Sequence, residues 1–324
     1  MIDRMGPVLL LLMSVVCCGC TRSGAAPDQQ FETRDQGHGT IAISYLTGEN
    51  PFFTTVADTI KHQARESGYS VMSVDAQNDP FRQTCQVRDF IRSNVVAIIL
   101  IPCNSKEIGP AVREANEAGI PVFTADVAVQ DPLAKVVCHV ATDNYCGGKL
   151  AAEEILEAIH RTGKVAIVDW PGIESVQMRT KGFREVIAFA NKEGAKVEIV
   201  SCMPAYGSRE KAKLAMREIL NDCPDLNAVF AINDPTAFGV LDVLTEKGLA
   251  QKVQVISFDG TEEAKRLVNA ERFFSDIVQK PEEIGKITFN VCHMYLTGES
   301  VSSQVLIPPE TFRGSINSER TKEE

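Results

Sequence analysis

Short apolar runs alternate with longer stretches of helical periodicity from residue 41 onward. The runs are rich in β-branched residues and predict strands at about 41–46, 70–75, 96–101, 121–125, 136–140, 164–169, 196–201, 228–232, 253–258 and 273–278. Stretches with apolar residues on one helical face predict helices between them, for example at 52–67, 80–93, 144–161, 177–193, 208–221, 234–247 and 281–297. This alternation predicts the α/β class, with parallel sheets that helices cover on both faces.

Polar or aromatic residues stand just beyond the carboxyl ends of several predicted strands. They are Asn50, Phe52 and Phe53 after the first strand, Asp126 after 121–125, Asn233 after 228–232 and Asp259 after 253–258. In an open parallel sheet these strand ends face one crevice, so side chains far apart in sequence meet there. Such a rim suits a small hydroxylated molecule.

An internal repeat indicates two similar lobes. Residues 97–126 and 228–259 each contain a strand, a helix, a glycine, a second strand and a final aspartate. We therefore expect Asp126 and Asp259 to occupy related places in opposite lobes.

The length and charge of the chain narrow its possible organisation and partners. A chain of 324 residues exceeds the size at which a single core usually stops growing, so two lobes are expected. Lys and Arg total 33 against 43 Asp and Glu, which gives a formal net charge of −10. An acidic chain without a basic stripe argues against nucleic acid and against an anionic membrane surface as partners.

The N-terminus has the pattern of an export signal. Arg4 precedes an apolar run at 8–16, which is too short to span a bilayer, since a spanning helix needs about 20 residues. Gly19-Cys20 resembles a bacterial lipobox, so Cys20 is the predicted lipidation site; plain secretion with cleavage nearby is the alternative. The expected layout is a signal peptide over 1–20, a flexible tether over 21–40 and a polar tail over 316–324.

Seven cysteines follow residue 20, and they lack the spacing of a metal site. We predict neither a metal ion nor a cofactor. An odd number leaves at least one thiol without an intrachain partner in an oxidising compartment. Most are expected to be small buried apolar residues, and Cys85 with Cys103 is the first pair to test for a disulfide.

An ordered set of motifs resembles the type I periplasmic sugar-binding proteins, especially the ribose-binding family. The motifs extend from about Ile41 to Pro308 and read IAISYLTGENPFF, DAQNDP, AGIPVFTAD, ATDNYCGGKLAAE, RTKGF, AVFAIND, VISFDGT and IVQKPEEIG. The resemblance implies two Rossmann-like lobes with parallel sheets, joined by a three-stranded hinge, with a sugar clamped between them. The implied lobes are 41–140 with 280–308, and 141–279 with 309–315.

The family's ligand contacts fall on residues whose chemistry suits a sugar. They are Asn50, Phe53, Asp126, Arg179, Asn233, Asp259 and Gln279. Phe52 lies beside them in the sequence, and Tyr206 is the candidate for an aromatic residue that covers the ligand. Carboxylates accept strong, charge-assisted hydrogen bonds from hydroxyl groups, and arginine offers a rigid fork of donors. Amides both donate and accept, while aromatic rings give a flat apolar surface to the C–H face of a sugar.

Each of these residues also has an ordinary structural interpretation. Asn50 and Asn233 are typical helix N-caps, and Phe52 is a plausible core residue. Asp126 and Asp259 are placed to bond neighbouring backbone amides, and an isolated arginine such as Arg179 is usually solvated. Because all of these residues match positions of one family pattern, ligand binding is the favoured interpretation.

Three positions depart from the ribose-binding pattern. Val127 stands where that pattern has an arginine, Leu46 where it often has a serine, and Gly207 where it has a large aromatic. Tyr206 is the remaining candidate for the lid aromatic. Losing these hydrogen-bond donors and acceptors predicts a ligand with fewer or differently placed hydroxyls than ribose.

The predicted function is that of an extracytoplasmic solute-binding lipoprotein that delivers a monosaccharide or polyol to the permease of an ABC importer. We expect a monomer, anchored by lipid in the periplasm or cell envelope, whose lobes close by hinge bending near residues 140, 279 and 308. Closure would present a composite surface from both lobes to the permease.

Other functional classes receive less support. A sensor component for chemotaxis or for a membrane histidine kinase is the alternative, because the same binding event serves both. The chain lacks a nucleophile elbow, a P-loop and a G-x-G-x-x-G turn, so we predict that it is not an enzyme. The export signal, with no DNA-binding module expected before residue 41, argues against a transcriptional regulator.

Overall fold

A computed structural model describes residues 37–314, which form two α/β lobes, each built on a six-stranded sheet. The predicted α/β class is confirmed. The expected signal peptide, Cys20 and the polar tail lie outside the described residues, as does nearly all of the expected tether. No helix between residues 37 and 314 has the length and apolar character that crossing a membrane requires.

The elements alternate along the chain almost as their periodicity predicts. In order they are β1 (Thr40–Tyr45), α1 (Pro51–Glu66), β2 (Ser70–Asp75), α2 (Pro80–Arg92), β3 (Ala97–Leu100), α3 (Gly109–Glu117), β4 (Val122–Ala125), β5 (His139–Thr142), α4 (Asn144–Ala158), β6 (Thr162–Asp169), α5 (Glu174–Lys192), β7 (Lys196–Pro204), α6 (Arg209–Asp222), β8 (Ala228–Ala231), α7 (Asp234–Glu246), β9 (Gln254–Asp259), α8 (Glu262–Asn269), β10 (Ser275–Val278), α9 (Pro281–Leu296), β11 (Gln304–Ile307) and β12 (Glu310–Phe312). The strand pattern does not predict β11 and β12, which are short and partly exposed.

The two sheets repeat one strand order. The first runs β11-β5-β4-β3-β1-β2 and is parallel throughout. The second runs β12-β10-β9-β8-β6-β7, and among its strands only β12 is antiparallel to its neighbour. Because β4 and β9 hold the same place in their sheets, Asp126 and Asp259 follow equivalent strands in opposite lobes. This prediction from the internal repeat is confirmed.

The chain passes between the lobes three times, after β5, after β10 and after β11. After the first passage, α4 packs on α5 and on the strands of the second sheet. After the second, α9 returns to pack on α1, β4 and β5 of the first lobe. The three connecting segments together form the hinge that the resemblance implies.

The expected disulfide between Cys85 and Cys103 is wrong for this structure. All seven cysteines between residues 37 and 314 are free thiols. Cys103 is buried beneath the cleft, where its Sγ donates to the carbonyl oxygen of Leu46 at 3.5 Å. Burial raises the pKa of the Cys103 thiol to about 12, so this cysteine stays protonated and behaves as a small core residue.

Candidate ligand-binding site

A cavity between the two lobes lies at the carboxyl ends of both sheets. Eight of the nine predicted ligand residues line it, namely Asn50, Phe52, Phe53, Asp126, Arg179, Asn233, Asp259 and Gln279. The convergence follows from the topology, because parallel strands place their carboxyl ends along one edge. The ninth residue, Tyr206, lines a wider groove beside the cavity, and this groove shares Asn50, Phe52, Phe53, Asn233, Asp259 and Gln279 with the cavity.

Asn50 connects the two lobes directly. Its Oδ1 accepts from the backbone N–H of Phe52 at 3.0 Å and so caps α1, while its Nδ2 donates to Oδ2 of Asp259 at 3.0 Å. Asn50 can therefore cap a helix and take part in the site at the same time, since its oxygen accepts from the helix and its nitrogen donates to the opposite lobe.

Asp259 is the most heavily bonded carboxylate of the cavity. Besides Asn50, its Oδ1 accepts from Nε2 of Gln279 at 2.8 Å, and Gln279 in turn accepts from the hydroxyl of Thr142 at 2.6 Å. Burial raises the pKa of Asp259, against the opposing effects of Arg179, Asn50 and Gln279. This network holds the carboxylate rigid at the base of the hinge.

Arg179 lies in the cavity wall with its guanidinium held on several sides. Nε donates to Oδ1 of Asn144 at 2.7 Å, and one terminal nitrogen donates to the carbonyl of Ile232 at 2.7 Å. The guanidinium carbon lies 3.7 Å from the centre of the Phe258 ring. The distance from Nη1 of Arg179 to Oδ1 of Asp259 is 3.8 Å. Burial lowers the pKa of Arg179, an effect that the neighbouring carboxylates oppose.

Two glycines allow the helix that carries Arg179 to approach its neighbour. A Cβ on Gly148 would lie 1.9 Å from the carbonyl oxygen of Arg179, and a Cβ on Gly182 would lie 2.2 Å from that of Tyr145. Since neither distance is possible for real atoms, α4 and α5 pack this closely only with glycine at both positions. The close packing lets Arg179 reach the side chain of Asn144.

Asp126 differs from Asp259 in having an unused acceptor. The residue is 3% exposed, its backbone has a φ of 61°, and no donor among residues 37–314 reaches its Oδ1. Burial raises the pKa of Asp126 to about 7; Arg179 opposes this shift, while Asp259 and Glu174 reinforce it. A buried acceptor without a partner is costly, so the site is arranged to receive a donor there.

Asn233 repeats the arrangement of Asn50 in the second lobe. Its Oδ1 accepts from the backbone N–H of Thr236 at 3.1 Å, which caps α7. Each amide oxygen accepts one bond from a helix N-terminus and keeps a second lone pair, so the expectation that these amides donate and accept toward a ligand stays a prediction.

The structure adds cavity residues that the sequence reasoning missed. They are Leu46, which was noted only as a departure, and Trp170, Ile173, Ser175 and Val176. Trp170 directly follows β6, so the strand-end pattern that selects Asp126 and Asn233 also applies to it. The family register drew attention to Tyr206 instead, and Tyr206 is 42% exposed.

On one side of the cleft the lobes touch without any side chain of the predicted site. The N–H of Ser105 donates to the carbonyl of Gly172 at 3.1 Å, and the hydroxyl of Ser105 accepts from the N–H of Glu174 at 2.9 Å. Nearby, Nε2 of Gln130 donates to Oε1 of Gln177 at 2.9 Å. These contacts, with the hydrogen bond between Asn50 and Asp259, show that the lobes are in contact, as in a closed form of the protein.

The arrangement of donors and acceptors suits a neutral polyol. Carboxylate, amide and guanidinium groups from both lobes point at one space, with the rings of Phe52 and Phe53 beside them. Between residues 37 and 314 no group of three or more His, Cys, Asp or Glu side chains has the geometry to hold a metal ion. Two hinged lobes that enclose such a space define the class of bilobal solute-binding proteins.

The chain belongs to the periplasmic binding protein family. Residues 41–300 match the family model described as "Periplasmic binding protein domain". Over 305 residues the chain is 34% identical to the ribose import binding protein of Bacillus subtilis strain 168, covering 93% of this chain and 96% of that protein. The resemblance to this family that the motifs predict is confirmed, and the family consists of binding proteins.

Solved structures show the same fold with ligands bound. A solute-binding protein of an ABC transporter from Bacillus halodurans C-125, with bound myo-inositol, aligns with a TM-score of 0.79 at 28% identity, covering 90% of this chain and 99% of that chain. One from Actinobacillus succinogenes 130z, with bound D-allose, aligns with a TM-score of 0.78 at 27% identity, covering 88% and 100%.

Proposed function

We propose that the protein captures a monosaccharide or related polyol between its lobes and delivers it to the permease of an ABC importer. The observation that carries this proposal is the buried Oδ1 of Asp126, which lacks a donor among residues 37–314 and faces donors and acceptors from both lobes. A ligand hydroxyl would supply the missing hydrogen bond. The relatives support the proposal, since one is named for ribose import and two hold myo-inositol and D-allose.

Side chains in and beside the cavity support a ligand with fewer or differently placed hydroxyls than ribose. Leu46 lines the cavity and offers no hydrogen bond where the family often has a serine. Val127 is fully buried and provides no donor where the family has an arginine. Each hydrogen bond omitted in this way is worth about 0.5–1.5 kcal/mol net, which is enough to change the preferred ligand.

The proposed location is the periplasm or cell envelope, with the protein monomeric and held to a membrane by lipid on Cys20. The Gly19-Cys20 pair after an apolar run supports this part of the proposal. Hinge bending would move a lobe of 41–140 with 280–308 against one of 141–279 with 309–315. The ligand favours the closed form because it contacts both lobes only there, and the permease would then meet a surface made from both.

A thermal-shift screen tests the proposal. Wild-type protein is heated with pentoses, hexoses, deoxysugars and polyols; a ligand at about 100 times its Kd stabilises the folded form by about 2.7 kcal/mol. We expect at least one compound to raise the melting temperature. Asp126→Ala and Arg179→Ala should abolish that rise, because each removes a buried polar contact to the ligand.

The exposed substitution Glu153→Ala on α4 is the matched control and should keep the full shift. Circular dichroism checks that the two site variants are folded. If a ligand is found and both folded variants retain its full affinity, the site assignment is wrong. Turnover of glycosides by the purified protein would instead indicate an enzyme.

A further inference from the structure

The second lobe offers the cavity one aromatic side chain, that of Trp170. This residue is the only tryptophan in the sequence. It is 7% exposed and lines the cavity together with Phe52 and Phe53 of the first lobe. Trp170 lines both the cavity and the wider groove, whereas Tyr206 is 42% exposed and lines the wider groove alone, with Lys211 over its ring.

Strand order explains why Trp170 rather than Tyr206 reaches the cavity. In the second sheet β6 lies between β8, which leads to Asn233, and β7, which forms the edge and leads to Tyr206. Neighbouring strands are about 4.8 Å apart, so a side chain that follows β6 starts one strand closer to Asn233 than a side chain that follows β7.

Gly207 makes room for the indole ring. It has a φ of 67°, and a Cβ at this position would lie 2.4 Å from Cζ3 of Trp170 and 3.2 Å from Nδ2 of Asn233. Any side chain at 207 would therefore collide with the ring in its present place. The family pattern has a large aromatic at this position. In this chain the position is a glycine, and the ring of Trp170, which follows β6, lies against it instead.

We propose that Trp170 is the second-lobe aromatic contact for the ligand and that it selects six-membered ring polyols with C–H groups on both faces. This inference rests on the proposed function. A pyranose or cyclitol with mainly equatorial hydroxyls presents apolar C–H patches above and below its ring. One patch suits the flat indole, and the other suits Phe52 and Phe53 from the first lobe. An open-chain polyol has no rigid face to place between them.

The experiment uses the full chain and a matched panel of compounds. The six-membered rings are myo-inositol, D-allose and D-glucose, and the open-chain compounds are ribitol and D-mannitol. Affinities are measured by calorimetry for the wild type, Trp170→Ala, Trp170→Phe, the competing candidate Tyr206→Ala and the exposed control Glu153→Ala. Because Trp170 is the only tryptophan, ligand binding to the wild type should also protect its fluorescence from acrylamide quenching.

We expect a six-membered ring to bind the wild type at least about 10-fold more tightly than either open-chain polyol. Trp170→Ala should weaken its binding by at least about 10-fold, since a buried tryptophan contact is commonly a dominant one. Trp170→Phe should restore most of the affinity, Tyr206→Ala should weaken it less than Trp170→Ala does, and Glu153→Ala should change it by less than about 2-fold.

Several results would overturn the inference. They are unchanged quenching of the wild type on ligand binding, full affinity in Trp170→Ala, a loss in Tyr206→Ala equal to that in Trp170→Ala, or equal binding of rings and open chains. The quenching result needs no variant, so it stands even if Trp170→Ala fails to fold. If no compound in the panel or in the wider screen raises the melting temperature of the wild type, the proposed function is refuted, and this inference with it.

Discussion

At the scale of single residues, the two ends of one side chain perform different tasks. Asn50 and Asn233 each use the oxygen to cap a helix, and Asn50 also donates from its nitrogen to Asp259 in the opposite lobe. Asp259 is satisfied by Asn50 and Gln279, whereas Oδ1 of Asp126 has no donor among residues 37–314. The two aspartates hold equivalent strand positions but differ in how much hydrogen-bonding capacity remains for a ligand.

The state of Asp126 predicts that ligand binding depends on pH. Its folded pKa of about 7 exceeds the usual 3.9, so between about pH 4 and 7 the ligand-free protein holds a proton that the unfolded chain has lost. This group therefore contributes less stability to the ligand-free fold as pH rises through that window. A ligand hydroxyl that donates to Oδ1 favours the carboxylate, so binding should release a proton and tighten with rising pH.

Calorimetry near pH 6.5 in buffers of different ionisation enthalpy measures that proton release. We expect up to one proton per ligand and an affinity that falls by no more than about 10-fold per pH unit below pH 7. Asp126→Asn is the control and should remove this part of the pH dependence, although Arg179, Asp259 and Glu174 still face the site. Binding without proton release in the wild type would show that Asp126 remains protonated and donates to the ligand.

At the scale of elements, α5 is capped by the opposite lobe. Its N-cap residue is Ile173, whose side chain cannot accept a hydrogen bond, and the N–H of Glu174 is met by the hydroxyl of Ser105. The sequence pattern predicts that this helix begins near 177, and it begins at Glu174. The signal that sets its start lies about 70 residues earlier in the chain, so no local pattern could show it.

Ser105→Ala should weaken ligand binding without touching the ligand. The substitution removes a cap that forms only when the lobes are closed, and caps are worth about 0.5–2 kcal/mol, which corresponds to about 2- to 30-fold in Kd. The control is Asp79→Ala, which removes the cap of α2 within one lobe and should lower the melting temperature but not the affinity. Equal effects of both substitutions on affinity would contradict a role in closure.

At the scale of the whole molecule, a strongly acidic protein carries a site for which we propose a neutral ligand. The net charge is −10, but the cavity is buried and its arginine is surrounded by carboxylates, so a neutral polyol experiences little long-range field. Repetition of one strand order in both lobes places equivalent strand ends on either side of the cavity.

Ligand affinity should therefore be nearly independent of salt. Raising NaCl from about 20 to 500 mM shortens the screening length several-fold, and we expect Kd to change by less than about 2-fold. Calorimetry at both salt concentrations measures this, with the melting temperature of the ligand-free protein as a check on the fold. A steep salt dependence would indicate a charged ligand and contradict the choice of a neutral polyol.

Periodicity in the sequence determines most of the helices and strands and the α/β class, because burial on one face imposes a regular spacing of apolar residues. The strand-end pattern also identifies six cavity residues, since parallel strands bring their carboxyl ends together whatever the loops between them, whereas Arg179 and Gln279 were implied only by the family resemblance. The start of β5 was less well predicted, at 136 instead of His139, because pairing with the distant β11 sets its limits.

Only the tertiary structure decided which second-lobe aromatic faces the cavity, which oxygen of an aspartate lacks a donor, and which lobe caps α5. Each of these depends on the order of strands or on contact between distant segments. Trp170 and Tyr206 both follow strands, and only the position of β7 at the sheet edge separates them. Such choices arise from packing in space, for which the local spacing of residues carries no signal.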